Sequence, residues 1–415
     1  MHPLKTGVEG VYSLQEGLDP YAGGTVHCSP LLLHGLARAL TREDTAQLAE
    51  LLFPTARAAA SAPPPPPPMR AVALFVLADT LSALALALTA RGVQRRGPPL
   101  ARGLLASSRW FPAAAAALFA LSPLAVVQCV GLSADALVGT VVLAAVAAAA
   151  WGAALPAAAL TALAAVAALY PAVLVLPLAA LLWRARGHGH KEHKGAVAAT
   201  VLFAAVTGAI AAGLCKWCTA LGGGSRAWVR AVPVFLYRAP DHTPNIGLWW
   251  DLLLELFPQF TALFVHVLQL LTFAAYPVAA TLALRRAPLA AAWLLAGAWA
   301  VLAPYPSLSH VALHAALYPL VLAAHVRAPR RRAAELRTVG ALALVAAVLA
   351  VLLASATRGW LYTGTGNVNF YFAGVLVLQG AQIYWLAHTS ETVLRDDYVQ
   401  RHPPTDAAQD KEKTR

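Results

Sequence analysis

Asp241-His-Thr-Pro-Asn-Ile-Gly-Leu-Trp-Trp-Asp-Leu-Leu-Leu-Glu-Leu-Phe257 is the one long polar-to-amphipathic interruption in a chain that is otherwise a succession of apolar runs. Thr243 and Asn245 flank Pro244, and Gly247 follows. Trp249, Trp250, Leu253, Leu254 and Phe257 then recur at helical spacing, with Asp251 and Glu255 four apart on the other side. The pattern predicts a turn that opens a short helix lying in a membrane interface, tryptophans at headgroup depth and carboxylates in water. Periodicity alone also fits a simple lid on one end of a helix bundle.

The surrounding chain makes the membrane reading necessary. It has 415 residues, of which 59% are hydrophobic and only 12% charged, too few polar side chains to cover a soluble globule of that size. The expected fold is therefore all-α, a polytopic transmembrane helical bundle. A net charge of +12 raises nucleic acid as a partner. The basic residues, however, lie in short loops between apolar runs, with no stripe of basic and aromatic residues of the kind a nucleic-acid surface needs. Four cysteines make no disulfide framework. Cys215-Lys-Trp-Cys218 has redox spacing but ends an apolar helix instead of opening one after a strand, so a structural role is expected. The polar start at Met1 is no cleavable signal peptide.

In chain order, residues 1–55 read as an N-terminal loop with short interfacial helices. Val8 to Pro30 is rich in turn formers and predicts an ordered surface loop, followed by amphipathic helices at Leu31–Leu40 and Ala46–Phe53. Residues 56–68 form an Ala- and Pro-rich insertion ending in six prolines, which suits polyproline II or an irregular chain. Residues 69–394 hold the bundle, and eleven spans are expected, at about 69–90, 111–130, 135–151, 153–169, 170–184, 195–220, 259–284, 289–303, 308–326, 337–357 and 370–390. The two around Pro156 and Tyr170-Pro171 also read as one broken helix pair. Arg91 to Arg109, Arg184 to Lys194, Arg285-Arg286, Arg327 to Arg337 and the polar tail 395–415 fall on one side, cytosolic by the positive-inside rule. Val8 to Pro30, Leu221 to Pro258, Pro304 to Leu308 and Thr357 to Asn369 fall on the other.

On that second face Leu361-Tyr-Thr-Gly-Thr-Gly-Asn-Val-Asn-Phe-Tyr-Phe372 carries two amides one residue apart, Asn367 and Asn369. Neutral amides both donate and accept, which suits phosphate oxygens and sugar hydroxyls. Gly364 and Gly366 would allow close backbone approach. The bland alternative is that Asn369 caps a helix beginning at Phe370 while Asn367 sits in a turn.

Asp241-x-Thr-Pro-Asn-Ile-Gly247 before an aromatic and acidic helix resembles the signature loop of the U subunit of GPI transamidase, the PIG-U family. Phe119 to Val130, Leu169 to Pro177, Ala303-Pro-Tyr-Pro-Ser, Val311 to Pro319 and Ala78 to Ala83 are similar to further segments of that family, in order, from Val8 to about Tyr398. The resemblance implies a GT-C-like bundle in an endoplasmic-reticulum complex of five subunits that attaches glycosylphosphatidylinositol (GPI) anchors, with a thiol-protease-like subunit doing the chemistry. It implies that Asp241, Thr243, Pro244, Asn245 and Gly247 form a lumenal loop, and that Asn367 and Asn369 face the GPI head group. Three departures stand out. The helix that precedes the first loop in the family is missing, the paired acids just upstream of that loop are replaced by Leu4-Lys-Thr-Gly7, and His310 stands where an acid is expected.

Several function classes compete on the residues. A lipid-linked glycosyltransferase of the GT-C type should carry close lumenal carboxylates, whereas the first loop offers Asp19 and an unsupported Glu9. A cysteine transamidase needs Cys beside a His partner, and adjacent His27 and Cys28 in an extended segment point apart. Asp79 in a span would suit a transporter. A non-catalytic subunit that binds the GPI lipid and scaffolds the other transamidase subunits fits best, with no cofactor and no metal site.

Arg184-Ala-Arg-Gly-His-Gly-His-Lys-Glu-His-Lys194 fits either topology alone or an anionic phospholipid site centred on Lys191 and Lys194. Its three histidines lack the companions of a tetrahedral zinc set. If the lipid site exists, Lys191→Ala with Lys194→Ala should release a retained anionic phospholipid seen by native mass spectrometry; unchanged retention leaves topology as their role.

Overall fold

The structure is a computed structural model that describes residues 3–53, 66–96, 108–188 and 193–402. Among them every regular element is helical. Leu4, Val8 and Val11 recur one turn apart and build α1 (Pro3–Gln15). The turn-former content of Val8 to Pro30 predicts a loop there, and the structure corrects it: only residues 16–29 are irregular. Three apolar positions suffice because α2 (Pro30–Ala39) and α3 (Arg42–Leu52) supply Leu33, Leu36, Leu40 and Leu48 to cover them. Both later helices are amphipathic, as expected. The hydroxyl of Ser29 accepts from the Leu32 N–H, and Thr41 with Asp44 makes a reciprocal capping box.

The apolar runs then form α4 (Met69–Arg96), α5 (Phe111–Ala120), α6 (Pro123–Val130), α7 (Ala134–Ala150), α8 (Ala154–Ala168) and α9 (Val175–Ala185). They continue as α10 (His193–Leu221), the short helical stretch 227–238, α11 (Trp249–Glu255), α12 (Pro258–Ala283), α13 (Pro288–Leu302), α14 (Leu308–His325), α15 (Pro329–Thr357) and α16 (Val368–Arg401). All eleven expected spans are helical, but among the described residues only six helices are long and apolar enough to cross a membrane. The bent pair α5 and α6, at 49° to each other, makes a seventh if it crosses as one. The other four segments, Ala134–Ala150, Ala154–Ala168, Tyr170–Ala185 and Pro288–Leu302, are shorter. Their all-round apolar composition reflects burial in the protein: they supply much of the main core. The chain breaks at Leu169, which adopts φ +60° between α8 and the turn at Tyr170.

The core centres on Trp293, which is fully buried. Its ring lies 4.8 Å from His314, 6.1 Å from Tyr318 and 6.0 Å from Trp385, joining α13, α14 and α16. At the basic end, Asp396 accepts from the Arg327 N–H (2.8 Å) and from Arg331 (2.9 Å), and Asp397 pairs with Arg286 at 3.8 Å. Three of the basic segments assigned to one face by charge, at 285–286, 327–337 and from 395, thus meet at one end of the bundle.

α15 has one other strong attachment. Glu335, 0% exposed, accepts from Tyr318 (3.3 Å) and Thr389 (2.9 Å) on one oxygen. Its other oxygen accepts from Thr392, and His388 Nε2 lies 3.2 Å from it. Glu335→Leu would strand several buried donors at about 1–3 kcal/mol each. We expect thermal unfolding followed by tryptophan fluorescence to begin several degrees lower in Glu335→Leu than in the parent chain, and Glu335→Gln to fall between them.

Candidate functional site at the polar end of the bundle

The loop Asp241–Gly247 is rigid because one side chain satisfies much of it. Asn245 Nδ2 donates to the carbonyls of Thr243 (3.2 Å) and Pro304 (3.3 Å), while Oδ1 accepts from the Gly247 N–H at 2.7 Å. The Asn245 carbonyl accepts the Trp250 indole N–H (3.0 Å), and the Ile246 carbonyl accepts from Gln379 of α16 (2.6 Å). Asp241 receives both the Thr243 N–H (2.9 Å) and its hydroxyl. Burial raises the Asp241 pKa, but these two hydrogen bonds outweigh it and the carboxyl titrates below its ordinary value. Its own N–H donates to the Tyr305 hydroxyl at 2.9 Å. A Cβ on Gly247 would lie 2.7 Å from Pro306 Cδ, so the loop closes on the 303–307 turn only with glycine there.

The interfacial placement of Trp249 and Trp250 is corrected. Both are buried, with Leu253, against the bundle, and Trp250 meets Phe372 edge-on at 5.3 Å. Their indoles satisfy a partner or fill the core, which is a better outcome for a large ring than headgroup exposure. Leu254 and Phe257 face outward instead.

Residues 16–29 sit at the same end. The His27 ring stacks on Phe235 at 3.5 Å and its Nδ1 contacts the Ala231 carbonyl at 2.7 Å; Phe235 stacks on Tyr305 at 5.3 Å. Cys28 is buried and its thiol pushed up to about 12 by that burial, so His27 and Cys28 form no activated pair. The stack separates an open hollow of about 630 Å³, edged by Lys5, Glu9, Thr25 and Asp241, from a cavity of about 110 Å³ inside the bundle. In that cavity His310 Nδ1 accepts the Ser307 N–H (3.2 Å), which leaves Nε2 as the proton carrier, 3.8 Å from Asp135. Position 310, where the resemblance led to the expectation of an acid, thus holds a histidine with the Asp135 carboxyl of α7 beside it. Among the described residues no group of three or more His, Cys, Asp or Glu could hold a metal ion.

The segment 358–367 opens α16. Gly366 packs on its own chain, where a Cβ would lie 2.7 Å from the Trp360 nitrogen; its missing side chain serves the turn and not a ligand. The helix cap is Asn367 and not Asn369: Asn367 Oδ1 accepts the Asn369 N–H at 2.9 Å. That leaves Asn367 Nδ2 and the whole Asn369 carboxamide without an intramolecular partner among the described residues, and both side chains are exposed. Through Trp250–Phe372 and Gln379–Ile246 the Asp241–Gly247 loop and the helix after it are tied to α16, the helix that this segment opens. Lys194 lies exposed in the first turn of α10, and Lys191 falls outside the described residues.

A family model described as GPI transamidase subunit PIG-U matches residues 3–378. The chain belongs to the PIG-U family. It is 26% identical to the human GPI-anchor transamidase component PIGU over 96% of this chain and 87% of that protein. It is 24% identical to the GPI transamidase component GAB1 of Saccharomyces cerevisiae over 94% of this chain and 84% of the yeast protein. The fission-yeast GAB1 homolog is 29% identical over a shorter stretch, 39% of this chain and 38% of that protein. This PIG-U member is thus a multi-pass membrane protein of a family of GPI transamidase subunits, and Asp241–Gly247, Asn367 and Asn369 lie inside the family match.

Gln379, Tyr305, Asp135 and the His27–Phe235 stack are structural parts of this end that the sequence alone does not single out. A glutamine within an apolar span is the one available signal, since it needs an internal partner there. Gly247→Ala and Asn245→Ala should both loosen the loop, and limited proteolysis in detergent should cut between residues 241 and 248 several-fold faster than in the parent. Leu254→Ala, on the outward face, should leave that rate unchanged.

Proposed function

We propose that this chain is a non-catalytic subunit of the GPI transamidase of the endoplasmic-reticulum membrane, which holds the GPI lipid and scaffolds the other subunits. Those partners include the thiol-protease-like subunit that performs the transfer. The observation that carries this reading is the pair Asn367 and Asn369 at the mouth of α16. A free carboxamide and a free amide N–H₂ stand exposed on a capped, rigid turn, directly above a helix face where Phe370, Val377, Ile383 and Tyr384 point outward. A GPI lipid has the complementary order: acyl chains, then inositol phosphate, then glycan. Because Asn367 Oδ1 is committed to the cap, that residue offers donors only, which favours phosphate over a second amide-like ligand. The inert setting of Cys28 supports assigning the covalent chemistry to another subunit.

The Asp241–Gly247 loop is the frame of this site in our reading. Its hydrogen-bonding capacity is consumed internally, so it positions the α16 mouth and presents Leu254 and Phe257 outward, where a partner subunit can cover them. The anionic-phospholipid role of Lys191 and Lys194 belongs to the same proposal on the opposite face.

The test is rescue of surface GPI-anchored reporters in cells that lack the endogenous U subunit. Asn369→Ala should assemble normally and lose about 1.5–3 kcal/mol of charge-assisted contact, roughly one to two decades of substrate affinity. Asn367→Ala additionally removes a helix cap worth about 1 kcal/mol, whereas Asn367→Ser keeps the cap and isolates the ligand contact. Full rescue by Asn369→Ala combined with Asn367→Ser at ordinary expression overturns the head-group role.

A further inference from the structure

Asp79 is an ionisable side chain in the middle of α4, a crossing helix that runs from Met69 to Arg95 with 33% of its most apolar window buried. Its neighbours satisfy it only in part. Gln128 Nε2 donates to Oδ1 at 3.2 Å and the Cys129 thiol hydrogen-bonds with the carboxyl. Both residues come from α6, the second half of the bent pair. Among the described residues no Lys, Arg or His forms an ion pair with it. The nearby Ser82 and Thr140 are engaged with each other at 2.9 Å, and Thr140 also donates to α4 and α7 carbonyls.

The surface around this group has a definite shape. Asp79 is half-buried at the edge of an outward stripe of α4 comprising Val76, Leu77, Thr80, Leu81 and Leu84. On the other side α6 exposes Val126, Val127 and Val130. The two halves of the pair α5 and α6 are bent by 49°, and the exposed stripes of α4 and α6 flank one carboxyl that Gln128 of α6 bonds. Acyl chains alone give an intramembrane carboxyl nothing to bind, and such groups in spans mark contacts with other helices, pathways or ligands. The charge selects among possible occupants. A lipid tail has no complementary group, and a second copy of this surface would place two carboxyls together.

We infer that this apolar surface around Asp79 is the docking site for a transmembrane helix of another GPI transamidase subunit, one that carries a basic side chain at mid-membrane depth. The polar contact sets the register, and the valine and leucine stripe supplies the packing area. The site is separate from the α16 mouth, so assembly through Asp79 and head-group binding through Asn369 fail independently.

The experiment uses the full chain co-expressed with the other subunits in cells lacking the endogenous U subunit. Asp79→Leu and Asp79→Asn should each lower recovery of partner subunits from mild detergent by roughly three- to fifteen-fold, the span of interhelical polar contacts in membranes. Asp79→Glu should retain recovery. A photo-crosslinking residue at position 76 should capture a protein partner, and the same probe at position 344 on the lipid-facing side of α15 serves as the comparison. A normal elution profile of the Asp79→Leu chain expressed alone verifies that it folds. Unchanged partner recovery with Asp79→Leu, or crosslinks from position 76 to lipid alone, would overturn the proposal.

Discussion

A helix inside a membrane has to satisfy its polar side chains within the protein, and α16 has more of them than any other described span. Its buried positions are Val375, Gln379, Gln382, Leu386, Thr389, Val393 and Asp396, alternating three and four apart. That spacing is the seam of a coiled coil, but here four of the seven positions are polar. Hydrocarbon would leave them unbonded at a cost of several kcal/mol per group, so the helix is committed to one rotation about its axis. Gln379 takes the Ile246 carbonyl, Thr389 takes Glu335, and Asp396 takes the Arg327 backbone. The remaining elements dock onto that fixed face.

This constraint links the two ends of the bundle. The basic end is tied by Asp396, Asp397 and Glu335, and the polar end by Gln379 and by Phe372 against Trp250. A rotation of α16 by one residue would disengage all of them together. Its first residues therefore stand in a defined position, and the exposed carboxamides at 367 and 369 inherit it. Groups held in place in this way need little further ordering before they can bond to anything.

Much of the architecture is legible in the residues. The apolar runs locate the helices because each must present a continuous apolar surface, and the Pro-Asn-x-Gly loop is visible because few residues satisfy a tight turn unaided. Three of the basic segments grouped by charge meet, as Arg286, Arg327 and Arg331 lie against Asp396 and Asp397. What stays hidden has one cause. Composition does not distinguish apolar surface covered by protein from apolar surface covered by lipid. For that reason α13, buried almost throughout, reads like a span, and Trp249 and Trp250 read as interfacial. The three-position stripe of α1 is lost among Gly7, Gly10 and polar residues. Asn367 and Asn369 are equally good caps by propensity, and only the backbone decides which one bonds to the other. Only the fold shows that α7 brings Asp135 to within 3.8 Å of His310.

The short central helices have a consequence for the membrane itself. At 1.5 Å per residue the 15 residues of α13 rise roughly 23 Å, against a hydrocarbon thickness of about 30 Å. The perimeter helices α4, α10, α15 and α16 have between 28 and 34 residues and clear that thickness easily. Helices of such different length cannot all match one hydrocarbon thickness, so the short ones rely on protein and not on lipid to cover their ends. The 303–307 turn, which follows α13 and receives Asn245 and Asp241, is such a cover.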